Sequence, residues 1–431
     1  MTELSPFKLA VLIGFGVALV GGFIALSMFT GSGQETVTVT MWGTAPRDAM
    51  ISAIAQSVPE EAYVKVEYQE RDAGRFDTDL LEALAAGAGP DLVFLPNDKI
   101  ITHQNKLWTI PFETYSERRF QDTYSGVADV YLAPDGIVGL PFMVDPLVMY
   151  WNRSIFAQHR ISNPPRTWAS FNDSPLRTLI ERDGQEISQA MVAMGNFTNV
   201  TNAKDILSSL IMQTGSPIVQ RRGAGQYRAT LTDSEDASAT SPAVLAVNFY
   251  TQFADLNKPV YTWNNSLPES RSMFLNGDLA VYFGLASEYE SMIRQNPNLD
   301  FAVALLPQGA ERGGQLTGAR LHALAIPLQS QKRGAALTAA ALLAEGEGAR
   351  IVADALSLPP VRRDLLSEPQ SRAHLSVYYD SVHIARAWLD PEPVRSAEIF
   401  RDMIQSIQSG RLRPNEAVMR ANRELQNVLG Q

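Results

Sequence analysis

The sequence predicts an α/β fold with largely parallel strands, preceded by one apolar segment long enough to span a membrane. Strand and helix patterns alternate over residues 36–95, with short Gly- and Pro-containing connections between them. No charged residue occurs from Leu9 to Phe29. The chain has 431 residues, of which 45% are hydrophobic and 19% charged, an ordinary globular composition with room for two domains or one large bilobal domain.

The N-terminal segment indicates where the protein resides. Residues 9–29 form a stretch of 21 residues, close to the ~20 that span a bilayer core as a helix. Lys8 precedes the segment and the next basic residue is Arg47, so residues 1–8 are expected in the cytoplasm and the rest outside. The alternative is a cleaved signal peptide, although its apolar region usually has only ~7–15 residues. We expect a single-pass cell-membrane protein with a short tether at 30–35 and an extracellular or periplasmic domain.

The elements after the tether are predicted from periodicity. Thr36–Trp42 and Tyr63–Tyr68 alternate apolar and polar residues, as half-buried strands do. Asp48–Ser57 and Arg75–Gly87 place apolar side chains at helical spacing, and the second ends in a Gly-rich stretch. The continuous apolar run at 91–95 predicts a buried strand. This order favours layers of helices on a mainly parallel sheet.

The rest of the chain is predicted from the same signals. A polar, turn-rich stretch covers residues 221–241. Three further strands are expected at 278–284, 299–307 and 321–328. Helices are expected at 206–212, 242–256, 335–356, 398–410 and 414–430.

The composition argues against several functional classes. The chain has no cysteine, and its five histidines are scattered without metal-binding spacing, so we expect no metal or other cofactor. A net charge of −10 without a basic cluster argues against a nucleic-acid partner. No nucleophile elbow or phosphate-binding glycine loop is present, so we expect a protein that is not an enzyme. An exported hydrolase or a structural surface protein is the alternative of a different class.

Aromatic and charged residues at strand ends favour a binding cleft. Trp42 ends the first strand, and Asp98 and Lys99 follow the strand at 91–95, where parallel α/β sheets present their binding loops. Phe283 and Trp388 lie in turn-rich surroundings. The alternative for each aromatic residue is a half-buried place in the core.

Four motifs occur in the order typical of one family. They are LLEALAAGAGPDLVFL, GLPFMVDPLVMYWNRSIFAQHRISNPPRTWASF, MFLNGDLAVYFG and SLPPVRRDLL. The sequence resembles the extracellular solute-binding proteins of ABC importers, in the maltose-binding-protein-like cluster of carbohydrate receptors. The resemblance implies a type II periplasmic-binding-protein-like fold, in which two α/β lobes joined by a hinge hold a solute in the cleft. It places lobe 1 at 36–144 with 299–345, and lobe 2 at 145–298 with 346–431.

The resemblance also suggests ligand contacts. Asp98 and Lys99 match an acid–base pair that binds sugar hydroxyls in the family, and Asp145 matches a ligand-contacting glutamate. Arg47 matches a lysine after the first strand, although Pro46 replaces the acid that precedes it.

Two further positions complete the set of nine expected ligand contacts. Ser287 stands near the place of a family tryptophan, so the pocket differs from that of a maltose receptor. Arg320, just before the strand at 321–328, is also expected in the cleft. The implied function is binding a carbohydrate and delivering it to an ABC transporter permease. The alternative solutes are a polyamine or a glycerophosphodiester.

Overall fold

The computed structural model describes residues 35–223, 225–233, 240–309 and 314–430. The predicted membrane segment at 9–29 lies outside these residues, as do residues 1–8 and most of the predicted tether. Among the helices that are described, none combines the length and the apolar character needed to cross a bilayer.

The strands of the described chain are numbered in chain order. They are β1 (Val37–Gly43), β2 (Val64–Glu70), β3 (Leu92–Pro96), β4 (Ile110–Pro111), β5 (Leu132–Ala133), β6 (Gly136–Ile137), β7 (Leu140–Asn152), β8 (Glu181–Asp183), β9 (Glu186–Val192), β10 (Val219–Gly223), β11 (Gln226–Ala229), β12 (Leu279–Leu285), β13 (Phe301–Ala304), β14 (Thr317–Ala325) and β15 (Ala385–Arg386).

The α-helices are numbered in the same way. They are α1 (Arg47–Ser57), α2 (Phe76–Ala85), α3 (Ile100–His103), α4 (Glu117–Thr123), α5 (Arg153–Gln158), α6 (Ser174–Arg177), α7 (Ala203–Gln213), α8 (Pro242–Thr251), α9 (Ser270–Asn276), α10 (Tyr289–Gln295), α11 (Arg333–Ala344), α12 (Gly346–Leu356), α13 (Arg363–Leu366), α14 (Ala373–His383), α15 (Pro393–Gln408) and α16 (Pro414–Leu429).

One long sheet runs through the molecule. Its strand order is β2-β1-β3-β14-β7-β12-β9-β8, with β13 also paired to β7 and β15 to β14. Strands β1, β2 and β3 are parallel, as the alternating strand and helix patterns predict. Strand β14 lies between β3 and β7 and is antiparallel to both, which brings residues distant in sequence into the middle of the sheet. Strands β12 and β13 are also antiparallel to β7, so the sheet is mixed and not mainly parallel as predicted.

Two hydrophobic cores lie on either side of the middle of this sheet. The first is built around β1 to β3, the start of β7, β14, α11 and α12. The second is built around the end of β7, β9, β12, α7, α8, α15 and α16. Strand β7 passes from one core to the other between Val144 and Leu147, and Asp145 lies at the crossing.

The cores suggest how the chain divides between lobes. Strand β13 pairs with the end of β7 and its side chains pack on the second core, whereas α12 packs on α1 within the first. We therefore propose that the lobes follow the cores, so that β13 belongs to lobe 2 and α12 to lobe 1, rather than boundaries at 299–345 and 346–431.

Two expected elements differ from the structure. The single helix predicted at 335–356 is two helices, because the chain turns at Glu345 and Gly346 adopts a positive φ of 54°. Such a backbone favours glycine and stops a helix. Within the polar stretch at 221–241, β10 and β11 form an antiparallel hairpin, which its polar composition had concealed.

Candidate functional site

A cavity of about 410 Å³ lies where the two cores meet. Its volume is within the usual range for small-molecule sites. The walls come from the turn after β3, the start of α7, the start of β14 and the segment from β15 to the start of α15. The charged and aromatic lining residues are Asp98, Phe197, Lys204, Asp205, Arg320, Arg386, Trp388 and Asp390.

Asp98 is the carboxylate of this cavity that the protein leaves unpaired. It follows β3 in the short turn Asn97–Lys99, at the carboxyl edge of the parallel strands. Within the described ranges its carboxylate accepts no hydrogen bond and has no cation within salt-bridge distance. Burial, and then the neighbouring Asp390 carboxylate, raise the pKa of Asp98 to about 6 against the opposing effect of Lys204 and Arg320. Its oxygens are therefore available to donors from a ligand.

Asn97 fixes the turn that carries Asp98. Its side-chain Nδ2 donates to the backbone oxygen of Trp388 at 3.2 Å, and its Oδ1 accepts from the backbone N–H of Leu321 at 2.9 Å. The Trp388 ring packs on Phe400 with centroids 6.1 Å apart and planes inclined by 18°. Asn97 thus ties an aromatic wall of the cavity to the turn that bears its unpaired carboxylate.

Lys204 in the first turn of α7 forms an ion pair with Asp390. The Asp390 side chain is 1% exposed and also accepts from Ser396 Oγ at 2.9 Å. Lys204 Nζ donates to the backbone oxygen of Pro393 at 3.0 Å and lies 5.5 Å from the Trp388 ring centroid. The lysine is therefore used to hold this wall together rather than left free for a ligand.

Arg320 on β14 forms the second ion pair of the cavity. Its Nη2 donates to Asp205 Oδ2 at 2.7 Å and its Nε to Oδ1 at 3.4 Å, a two-pronged arrangement. The carboxylates of Asp205, Asp145 and Asp98 surround this guanidinium, and all three raise the pKa of Arg320. Arg320 therefore stays charged and has one bound partner and two nearby acids.

Asp145 and Ser287, two of the expected ligand contacts, meet behind the cavity. The backbone N–H of Ser287 donates to Asp145 Oδ1 at 3.0 Å. Asp145 is 8% exposed and is the register partner of Arg320 across β7 and β14. Burial raises the pKa of Asp145 to about 6, although the hydrogen bonds from Ser287 oppose the rise. Neither Asp145 nor Ser287 lines the cavity.

Lys99 lies beside Asp98 but does not line the cavity. Its ammonium pairs with Asp77 on α2 and lies 3.8 Å from Glu392. His103 Nε2 lies 3.0 Å from the other Asp77 oxygen. Burial raises the pKa of Asp77, but the hydrogen bonds from His103 and Lys99 outweigh it and lower this pKa below its ordinary value. Lys99 therefore neutralises a neighbouring acid.

Three other expected contacts also lie away from the cavity lining. Trp42 is 7% exposed in the first core, and the Arg71 guanidinium covers its ring at 3.7 Å. Arg47 is exposed at the start of α1, and its backbone N–H donates to Glu70 Oε2 at 2.8 Å. Phe283 is buried in the second core, 5.3 Å from the Trp168 ring. Their ligand contacts stay predictions.

The structure thus brings three of the nine expected residues together on the cavity, namely Asp98, Arg320 and Trp388. Sequence reasoning missed Lys204, Asp205, Arg386 and Asp390, whose only local signal was charge beside a helix start or within a loop. Within the described chain, no group of three or more His, Asp or Glu side chains could hold a metal ion. The arrangement is suited to binding a polar solute by hydrogen bonds and an aromatic face.

Comparisons with known proteins show which solved structures share this architecture. No curated protein sequence matches the chain. The structure is similar to a cyclo/maltodextrin-binding protein complexed with maltotetraose, at 15% identity and a TM-score of 0.71, covering 92% of this chain and 98% of the other. It is also similar to the sugar-binding protein MalE from Xanthomonas citri, at 18% identity and a TM-score of 0.72, covering 91% and 98%.

A third similar structure is the cyclic alpha-maltosyl-1,6-maltose binding protein from Arthrobacter globiformis. The identity is 15% and the TM-score 0.72, with 91% of this chain and 99% of the other covered. These likenesses establish the two-lobed periplasmic-binding-protein-like fold. The family model described as "Bacterial extracellular solute-binding protein" matches residues 47–349, more than half of the chain. The chain therefore belongs to the bacterial extracellular solute-binding protein family.

Proposed function

We propose that the protein is a membrane-tethered extracellular receptor of an ABC importer, which binds a carbohydrate in the cavity between its lobes and delivers it to the permease. The observation that carries the proposal is the cavity itself, where the unpaired Asp98 carboxylate and the Trp388 ring lie on one lining. Carboxylates accept hydrogen bonds from sugar hydroxyls, and aromatic faces cover the apolar patches of a pyranose. The membrane anchor would be residues 9–29, followed by the short tether at 30–35.

Family membership and the solutes of similar structures support the carbohydrate class. Besides the maltodextrin receptors, a receptor from Thermotoga lettingae bound to α-D-tagatose has 19% identity and a TM-score of 0.64, covering 91% of this chain. In a two-lobed receptor, a solute that contacts both lobes binds the closed form more tightly than the open form, and this difference in affinity stabilises the closed form. A permease that recognises the closed form can then distinguish loaded from empty receptor.

A thermal-shift screen of residues 36–431 tests the solute class. We expect a maltodextrin, a manno-oligosaccharide or a ketohexose to raise the melting temperature. A solute at a hundredfold excess over its Kd adds about 2.7 kcal/mol of stability to the folded state. If only polyamines or glycerophosphodiesters raise the melting temperature, the solute belongs to that class and is not a carbohydrate. Turnover of a glycoside by the same sample would support a hydrolase, and no rise with any solute would contradict a binding function.

Replacing Trp388 by Ala tests the aromatic wall. We expect the affinity for the solute found in the screen to fall about tenfold to a hundredfold, because the ring covers part of the bound ring and that contact contributes roughly 1–3 kcal/mol. The matched control is Trp151→Phe, which should leave affinity unchanged because Trp151 packs on Phe156 against the second core and does not line the cavity. Isothermal titration calorimetry measures the solute affinity of both variants. Equal affinity of Trp388→Ala and the wild type would remove Trp388 from the site.

A further inference from the structure

Glu288 is the centre of a polar network behind the cavity. Its Oε1 accepts from Asn202 Nδ2 at 2.7 Å and from the backbone N–H of Leu285 at 2.9 Å. Its Oε2 accepts from the Tyr282 hydroxyl at 2.5 Å and lies 3.3 Å from Arg271 Nε. The Glu288 side chain is 15% exposed. This carboxylate therefore joins the end of β12 to the residue that precedes α7.

Asn202 has an unusual conformation for the residue that precedes a helix. Its φ is 58° and its ψ 22°, in the left-handed region that few residues other than glycine occupy. Asparagine at this position commonly accepts a hydrogen bond from the first turn. Here the side chain makes no capping bond, and its amide reaches Glu288 and the Tyr282 hydroxyl instead. The side chain thus fixes where α7 begins relative to β12.

The start of α7 carries two groups of the cavity. Lys204 holds Asp390 beside Trp388, and Asp205 holds Arg320. A displacement of this turn would move both ion pairs together, because they are on adjacent residues of one helix. The network also reaches the crossing between the cores, since the residue before Glu288 donates its backbone N–H to Asp145.

We propose that Glu288 and Asn202 are positioning residues of the solute cavity. They hold the first turn of α7 so that Lys204 orients the Trp388 wall and Asp205 holds Arg320. If the network served only to cap α7, the Asn202 side chain would accept a hydrogen bond from the first turn of that helix. The Glu288 carboxylate with its several donors would not be needed for capping. The inference deepens the proposed function, since it concerns the same cavity, but its test requires no solute.

The experiment uses protein labelled with 5-fluorotryptophan, so that each of the six tryptophans carries one ¹⁹F nucleus. Trp388→Phe assigns the resonance of Trp388. Asn202→Asp is isosteric and places an oxygen against Glu288, whereas Asn202→Gly removes the side chain and readily adopts the left-handed backbone. We expect both variants to shift or broaden the Trp388 resonance, and Glu288→Gln to do the same.

Asn296→Asp is the matched control. Asn296 is partly buried in the same lobe and donates to the backbone oxygen of Leu275 at 2.7 Å, but it does not contact α7 or the cavity. We expect it to lower the melting temperature while leaving the Trp388 resonance in place. An unchanged Trp388 resonance in Asn202→Gly and Glu288→Gln would overturn the proposal, whatever their stability. Should Asn202→Asp fail to fold, these two variants decide the question. A sugar screen without binding would leave this result unaffected.

Discussion

Replacing Lys204 by Met is expected to lower the free energy of unfolding by about 3 kcal/mol at pH 7, because it leaves the Asp390 carboxylate without its cation. Asp390 is 1% exposed, and burial raises the pKa of Asp390 even with Lys204 beside it. Without Lys204 this pKa should rise further. Urea denaturation at pH 7 measures the loss.

The loss should depend on pH in a defined direction. Protonation of Asp390 removes the unpaired charge, so the difference between Lys204→Met and the wild type should narrow as the pH falls toward 5. The double variant Lys204→Met/Asp390→Asn should recover part of the stability at pH 7, because no buried charge then remains. A double variant as unstable as the single one would show that lost packing, and not the unpaired carboxylate, causes the effect.

Lys99→Met is the matched control for this prediction. The Lys99 side chain is 16% exposed, close to the 19% of Lys204, but its partner Asp77 is 36% exposed. Water can solvate Asp77 when the lysine is lost, so we expect a loss of about 1 kcal/mol or less. Equal losses in Lys204→Met and Lys99→Met would contradict the role assigned to burial of Asp390.

The first half of the fold could be predicted because its signals are local. Strands β1 to β3 and helices α1 and α2 have clear apolar periods, and their parallel pairing follows from the helices between them. Asp98 could be placed at the cavity for the same reason, since the carboxyl ends of parallel strands gather at one edge. Local pattern and topology were sufficient there.

The rest of the site depends on contacts between distant segments. Lys204 meets Asp390, and Arg320 meets Asp205, only after β14 enters the sheet and the last third of the chain folds back. Phe283 was expected in the cleft because its surroundings were interpreted as turn-rich, whereas it lies within β12. Every residue of that strand is buried, so no alternation of polar and apolar residues distinguishes a cavity side.

Replacing Asp98 by Asn is expected to have opposite effects on stability and binding. The Asp98 carboxylate has a pKa of about 6 in the folded protein and an ordinary value of 3.8. The folded state therefore holds the proton more tightly, and ionisation above pH 6 costs stability, up to about 3 kcal/mol from a shift of this size. The amide carries no charge, so Asp98→Asn should be more stable than the wild type at pH 7 without solute.

The gain should disappear in acid. The cost of ionised Asp98 is absent below about pH 4, develops between about pH 4 and 6, and is complete above pH 6. Urea denaturation at pH 4 and pH 7 separates these limits. The control is Asp205→Asn, which breaks the pair with the 51% exposed Arg320 and should lower stability by up to about 1 kcal/mol. Identical stability of Asp98→Asn and the wild type at both pH values would refute the assignment.

Binding should change in the other direction, because the same carboxylate is proposed to accept hydrogen bonds from the solute. A hydrogen bond to a charged group contributes about 1.5–3 kcal/mol, so affinity for the solute found by thermal shift should fall roughly tenfold to 150-fold in Asp98→Asn at pH 7. Wild-type affinity should weaken below pH 6 as Asp98 takes up its proton, and that dependence should vanish in the variant. If Asp98→Asn is more stable than the wild type but binds the solute with equal affinity, the Asp98 carboxylate has no role in binding. Burial alone explains the change in stability, whereas a change in affinity requires that the carboxylate contact the solute.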